Sequence, residues 1–274
     1  IAVITGNGEL EDVYLYSFLS GLSTKYNLAK FILDSVLTNP QKTLKDLISF
    51  DMAIIAKPTI KFSDNEKLTL DQFIINGGKT LWMLDYVQAD QDSLMLTGKM
   101  LAYPRDLNLN DLLFSYGVRI NTSIIKDLYA AKIPLATGNV GAQTQFQNLP
   151  WFYHPLINGN PNHPITKNIR PVRLQFATQI DTLKNENMTK TPLLVSSLLT
   201  AKMGTPNFVE LESIAEEPTE ETYKKGHQLI GVLLEGNFNS AYKNRIKPFE
   251  NFMFKEQSSA NKMVVIADGD IAKN

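Results

Sequence analysis

Three short stretches carry residue types that could do chemistry. Gly6-Asn7-Gly8-Glu9 follows an apolar run at 1–5, and its glycines would let backbone N–H groups approach an anion at the start of a helix. The stretch has neither the third glycine of a dinucleotide fingerprint nor the lysine of a P-loop, so a tight strand-to-helix turn competes with phosphate binding. Asp268-Gly269-Asp270 follows the apolar run 263–266. Two carboxylates at a strand end suit Mg²⁺ or a phosphoryl-transfer step. The pair lies at the far end of the chain with Ile271-Ala272 behind it, which fits a turn capped by aspartates equally well. Asp85-Tyr86 and Lys57-Pro58 complete the polar groups expected at strand ends, where open parallel sheets bind ligands.

A fourth stretch is aromatic. Trp151, Phe152 and Tyr153 could stack on a sugar or peptide, although consecutive residues of an extended segment point to alternating faces, so at most two share a surface. His154 and His163 each precede a proline, and His227 is remote from both. No H-x-x-x-H or H-E-x-x-H spacing exists, so a metal is not expected. Cysteine is absent, which removes thiol nucleophiles and thiolate metal sites together. There is no G-x-S-x-G around a serine. The ligand-binding candidates are therefore Gly6, Asn7, Gly8, Glu9, Asp85, Tyr86, Trp151, Tyr153, His154, His163, Asp268 and Asp270, with no catalytic residue and no cofactor expected.

The elements that must position these residues alternate in the first 85 positions. Strands are expected at 1–5, 31–36, 52–56 and 80–84. Between them, Leu15, Phe18, Leu19 and Leu22 recur at helical spacing. Asn39-Pro40 supplies a cap and a first-turn proline. Ser63 and Glu66 have capping-box spacing, with Gly77 past the helix end. A further helix is expected at 108–116, stopped by Gly117. This alternation predicts an α/β fold, a mostly parallel sheet with helices on both faces, followed by a β-richer second half. Prolines at 150, 155, 161, 164 and 171 make 148–171 an irregular but packed segment. Later strands are expected at 172–178, 193–197, 208–211, 229–234 and 263–267, and an exposed loop at 215–225.

The chain has 274 residues, 43% hydrophobic and 20% charged, which is ordinary globular usage and enough for a large core. One domain over 1–274 is expected, the alternative being a split near 146. Net charge is −1, from 27 basic and 28 acidic residues, so nucleic acid is not an expected partner. No apolar stretch approaches the ~20 residues of a membrane span. No signal-peptide pattern is present at the start, and the sequence reads as an excised soluble piece.

Several stretches together carry a family resemblance. They are 107–113 (Leu-Asn-Leu-Asn-Asp-Leu-Leu) with Tyr116-Gly117-Val118-Arg119-Ile120-Asn121 and Asp127-Leu128, then Pro150-Trp151 with Tyr153-His154-Pro155-Leu156. Asn162-His163-Pro164-Ile165-Thr166, Leu193-Leu194-Val195-Ser196-Ser197 and Ala267-Asp268-Gly269-Asp270 follow in order. The whole chain resembles the GldG-like auxiliary components of gliding-motility-associated ABC transporters. That resemblance implies a flavodoxin-like or class I glutamine-amidotransferase-like fold and a periplasm-facing domain tethered by transmembrane helices outside this chain. It implies an ABC permease and ATPase as partners, in gliding motility or secretion. It brings no catalytic residues, and the absence of cysteine departs from amidotransferase chemistry.

Overall fold

The structure is a computed structural model that describes residues 1–140, 143–185 and 187–274. Its α-helices among these residues are α1 (Tyr16–Ser23), α2 (Pro40–Ile48), α3 (Asp64–Ile75), α4 (Gln91–Thr97) and α5 (Asn110–Ser115). Local signals set them. The Asn39 side chain accepts the Lys42 N–H at 3.2 Å, with Pro40 at the first helical position. Ser63 and Glu66 close a reciprocal box: Ser63 Oγ accepts the Glu66 N–H at 3.3 Å, and Glu66 Oε2 accepts the Ser63 N–H at 2.6 Å.

The strands are β1 (Ala2–Thr5), β2 (Ala29–Ile32), β3 (Met52–Ala56), β4 (Lys79–Met83), β5 (Val87–Gln88), β6 (Lys99–Pro104), β7 (Val118–Asp127) and β8 (Ala130–Val140). They continue as β9 (Gln143–Ile157), β10 (Val172–Arg173), β11 (Thr178–Thr182), β12 (Met188–Val195), β13 (Thr200–Gly204), β14 (Asn207–Glu210), β15 (Leu229–Asn239) and β16 (Gln257–Ile266). Seven form one mixed sheet in the order β12-β15-β16-β4-β3-β1-β2. From β16 to β2 the pairing is parallel, and β12 and β15 run antiparallel at one end. Three small antiparallel sheets (β10-β9-β8, β11-β7-β13 and β14-β6-β5) make up the rest.

The expected flavodoxin-like arrangement, helices on both faces of a mostly parallel sheet, is not what forms. Strand outweighs helix, and no α-helix follows Ser115 among the described residues. One sheet face does carry helices: Leu44 and Leu47 of α2, Phe73 of α3 and Leu112 of α5 pack with Ala53, Ile55, Trp82 and Val265. The other face is divided. Its β3 end takes α1 through Phe18 and Leu19. Its β12–β15 end is covered by strand residues, with Ile125 of β7 and Ile157 of β9 against Leu193, Ile230 and Leu233. An apolar strand needs a cover but not a particular kind, and sheet on sheet serves as well as helix on sheet.

Two local expectations also change. The second strand ends at Ile32, and Leu33–Leu37 turns into a 3₁₀ helix that buries Leu33 and Val36. Residues 148–157 are not irregular but belong to β9, the central strand of its sheet. Pro155 is tolerated there because only its carbonyl is used: it accepts the Leu174 N–H at 3.0 Å. The β8 register also shifts between Ala130 and Lys132, opposite Pro155 and Pro150.

Candidate functional site

Parallel strands bring their carboxyl ends to one crest. There the neighbours β3, β4 and β16 deliver Lys57, Asp85 and Asp268-Gly269-Asp270 to one place. The ladder persists just beyond the strands, with the Lys57 N–H on Met83 O at 2.8 Å and the Leu84 N–H on Ile266 O at 3.0 Å. Backbone hydrogen bonds therefore hold all three turns. Lys57 takes a left-handed φ of 52°, and its ammonium pairs with Asp270 and, at 3.3 Å, with Asp85. Two further carboxylate oxygens bind backbone. Asp85 Oδ1 accepts the Gly269 N–H at 2.6 Å, and Asp268 Oδ2 accepts the Gln175 N–H at 2.6 Å, tying the segment before β11 to the sheet.

Burial sets the electrostatics of this cluster. Asp268 is wholly buried, and desolvation, reinforced by Asp85 and Asp270, pushes its carboxyl well above the usual carboxylate range. Desolvation works against the Lys57 charge, but Asp85 and Asp270 outweigh it and hold the ammonium above its ordinary range. Desolvation also raises Asp85, against the pull of Lys57. Asp268 Oδ1 and Asp270 Oδ1 make no hydrogen bond. Beside Asp270 a space of about 50 Å³ remains, the size of one or two waters. No group of three or more His, Asp or Glu suited to a metal exists among the described residues.

The packing is close enough to test. A Cβ on Gly269 would lie 2.6 Å from Lys57 Cγ and 2.9 Å from Asp85 Cγ. Gly269→Ala is expected to destabilise the fold by ~1–3 kcal/mol through overpacking, read as a lower urea midpoint with an unchanged slope.

The first loop sits beside this crest and bonds to itself and to residues 59–66, with Asn7 Oδ1 and Glu9 Oε1 left unpartnered. Gly6 and Gly8 take φ of 122° and 68°, and Asn7 O accepts N–H groups from Thr59 and Ile60 at 2.9 and 2.8 Å. The Asn7 N–H, which an anion would need, donates to Glu9 Oε2 at 2.8 Å, and Asn7 Nδ2 donates to Glu66 at 3.2 Å. Burial, with Glu66 and Asp34 nearby, lifts the Glu9 carboxyl to about 7. Helix α1 begins only at Tyr16, so its N-terminus does not meet the loop. Tyr86 is buried with its hydroxyl unpartnered, and burial raises its pKa.

The aromatic stretch lies elsewhere, inside a second core. Trp151 and Tyr153 share a face with centroids 4.9 Å apart, Tyr153 stands 5.9 Å from Phe176, and both are buried, so they form no exposed platform. Phe152 faces Tyr223 on the other side of the strand. His154 packs edge-on to Phe176 at 5.6 Å with neither ring nitrogen bonded, and burial lowers its pKa to about 4. His163 caps a turn, its Nδ1 accepting the Ile165 N–H at 3.2 Å.

His154 yields a pH prediction. Its pKa falls from 6.5 in the unfolded chain to about 4 in the fold. Between those values the unfolded chain binds a proton that the folded chain refuses, so stability falls as pH drops. The loss amounts to ~3 kcal/mol by pH 4. His154→Leu is expected to leave stability at pH 7 unchanged or higher, because two unpaired ring nitrogens are removed, and to abolish this acid-sensitive component. Denaturant melts of both proteins from pH 7 to 4 check it.

Sequence reading missed the role of Lys57 as counter-charge, although a single cation at the ends of strands that also deliver carboxylates was a usable signal. It also missed Asp71 and Asp127, buried carboxylates that accept hydrogen bonds from several elements. Nothing in their spacing marks them.

Comparisons with known proteins fit this architecture. A solved structure titled mmIFT52 N-terminal domain matches with a TM-score of 0.54 at 15% identity, over 100% of this chain and 88% of that one; the likeness is one of fold alone. An uncharacterized protein of Borreliella burgdorferi is 25% identical over 276 residues, covering 89% of this chain and 52% of the relative. The chain thus spans about half the length of that curated relative. A family model described as an ABC-type uncharacterized transport system, of ABC transporter auxiliary proteins, matches residues 1–274, and the chain belongs to that family.

Proposed function

We propose that the chain is a single, non-enzymatic domain of an ABC transporter complex that faces the periplasm and acts through protein contacts with the permease and ATPase. The observation that carries this reading is the filled crest. Where an α/β sheet ordinarily opens a crevice for substrate, Lys57 is tied between Asp85 and Asp270, and one oxygen each of Asp85 and Asp268 holds backbone. Membership of an ABC transport family supplies the system. The resemblance to gliding-motility components extends the role to gliding or secretion. The family resemblance would place attachment to the membrane in transmembrane helices outside 1–274; no helix among the described residues is long and apolar enough to cross a membrane.

The contact surface in this reading is the β2 edge of the large sheet. Among the described residues β2 pairs only with β1, and Tyr26, Ile32 and Leu37 on it or flanking it in the chain are all more than half exposed. An uncovered strand edge with apolar neighbours invites a partner. Photo-crosslinking residues placed at Tyr26 and Ile32 of the native protein in its own membrane test this. Adducts with the permease or ATPase are the expected result; adducts with neither would overturn the assignment.

A further inference from the structure

A cleft lies away from the crest, at the outer side of β12. It has a volume of about 400 Å³, within the size range of small-ligand pockets. Leu193 and Pro192 of β12 form one wall, the loop 158–161 after β9 forms another, and Tyr129 and His227 stand at its sides.

Hydrogen bonds fix its walls. Gly159 bridges to Leu194, the Asn160 N–H donates to Leu193 O at 3.0 Å, and Asn160 Nδ2 donates to Pro192 O at 2.9 Å. A side chain at Gly159 would meet Thr166 at 2.7 Å, so the loop is pressed against the turn that follows it. On the opposite side Asp127, wholly buried, accepts the Tyr129 N–H at 2.8 Å, the Ser197 N–H at 2.7 Å and the Ser197 hydroxyl at 2.6 Å. His227 Nδ1 lies 2.8 Å from the Ser196 carbonyl oxygen. A carbonyl only accepts, so Nδ1 carries the hydrogen of this bond, which leaves Nε2 for a ligand.

The lining chooses the ligand. It contains no Asp, Glu, Lys or Arg, so an ionised ligand would lose water without gaining a counter-charge. Asn160 already occupies the β12 backbone at Pro192 and Leu193, which blocks an added peptide strand at that point. What the cleft offers is a half-exposed tyrosine ring, a mainly apolar lining from Leu156, Leu193, Val195 and the prolines, and a few polar groups such as Asn158 and His227. That combination matches a pyranose, which has an apolar C–H face and a rim of hydroxyls. We infer that this cleft is a binding site for a neutral saccharide, stacked on Tyr129 and hydrogen-bonded by Asn158 and His227.

The test uses glucose, galactose, N-acetylglucosamine, maltose and cellobiose as probes, with glucuronate as the charged control, read by saturation-transfer NMR and titration calorimetry. The expected result is saturable binding of at least one neutral probe and weaker binding of glucuronate. Tyr129→Ala and Asn158→Ala, both on the exposed rim, should each weaken that binding roughly tenfold while their melting curves stay at the wild-type position. Failure of every neutral probe to bind, binding that survives both variants, or equal binding of glucuronate would each overturn the inference.

Discussion

Lys57→Met is expected to destabilise the protein by ~3–5 kcal/mol at neutral pH, because it leaves a buried charge cluster without its cation. Asp85 and Asp270 are each only 8% exposed, and both meet the same ammonium. Methionine restores the volume of the lysine stem, so lost packing would not explain the effect. Acid should relieve it. Without Lys57, burial, reinforced by the Asp270 charge, outweighs the Gly269 N–H and Arg105 and holds the folded pKa of Asp85 above its ordinary 3.8. The folded variant then binds more protons than the unfolded chain, so its stability rises as pH falls toward 4. A triple variant, Lys57→Met with Asp85→Asn and Asp270→Asn, should recover most of the loss. Urea melts at pH 7 and 5 decide the matter. A cost below ~1 kcal/mol at pH 7, the value of an exposed ion pair, would show that the crest is not held by this cluster.

Asp71→Ala is expected to cost a similar ~3–5 kcal/mol, for a different reason. Asp71 is wholly buried within α3 and accepts the Tyr116 hydroxyl at 2.7 Å, the Ser240 hydroxyl at 2.6 Å, the Ala241 N–H at 2.8 Å and the Gln72 amide at 3.0 Å. The neighbouring Gln72 bonds both backbone groups of Lys255. This pair fastens α3 to the end of α5 and to the connection between β15 and β16. Removing the carboxylate strands several buried donors at once. Tyr116→Phe removes a single donor and should cost only ~1 kcal/mol. Comparable losses from the two substitutions would mean that Asp71 is not the hub.

Legibility in the sequence followed the range of each interaction. Met52–Ala56 was read with its final bounds because an apolar run between polar turns needs no distant partner. The caps at Asn39 and Ser63 are likewise set within four residues. The second half turns on pairings such as Lys126 with Ala201, and on which surface covers the β12–β15 end of the sheet. No local pattern records either, so a helical cover was expected where strands lie. Proline misled at 150 and 155 because a strand forbids it only where its N–H is needed.

The crest illustrates both sides. Its carboxylates were visible as strand-end residues, and the parallel pairing of β3, β4 and β16 brings three turns together. Their partner was not. Lys57 sits more than two hundred residues from Asp270, and its role is visible only once β3, β4 and β16 are neighbours. In α3 only the stripe of Leu70, Phe73 and Ile74 stood out, although the helix is buried almost all round and Asp71 with Gln72 does the cross-linking.

The central claim, that this domain serves an ABC transporter through protein contacts, is tested most directly by purifying the full-length protein from its native membrane and identifying what comes with it by mass spectrometry. Stoichiometric recovery of an ABC permease and ATPase is the predicted result. Recovery of the protein without either would contradict the account.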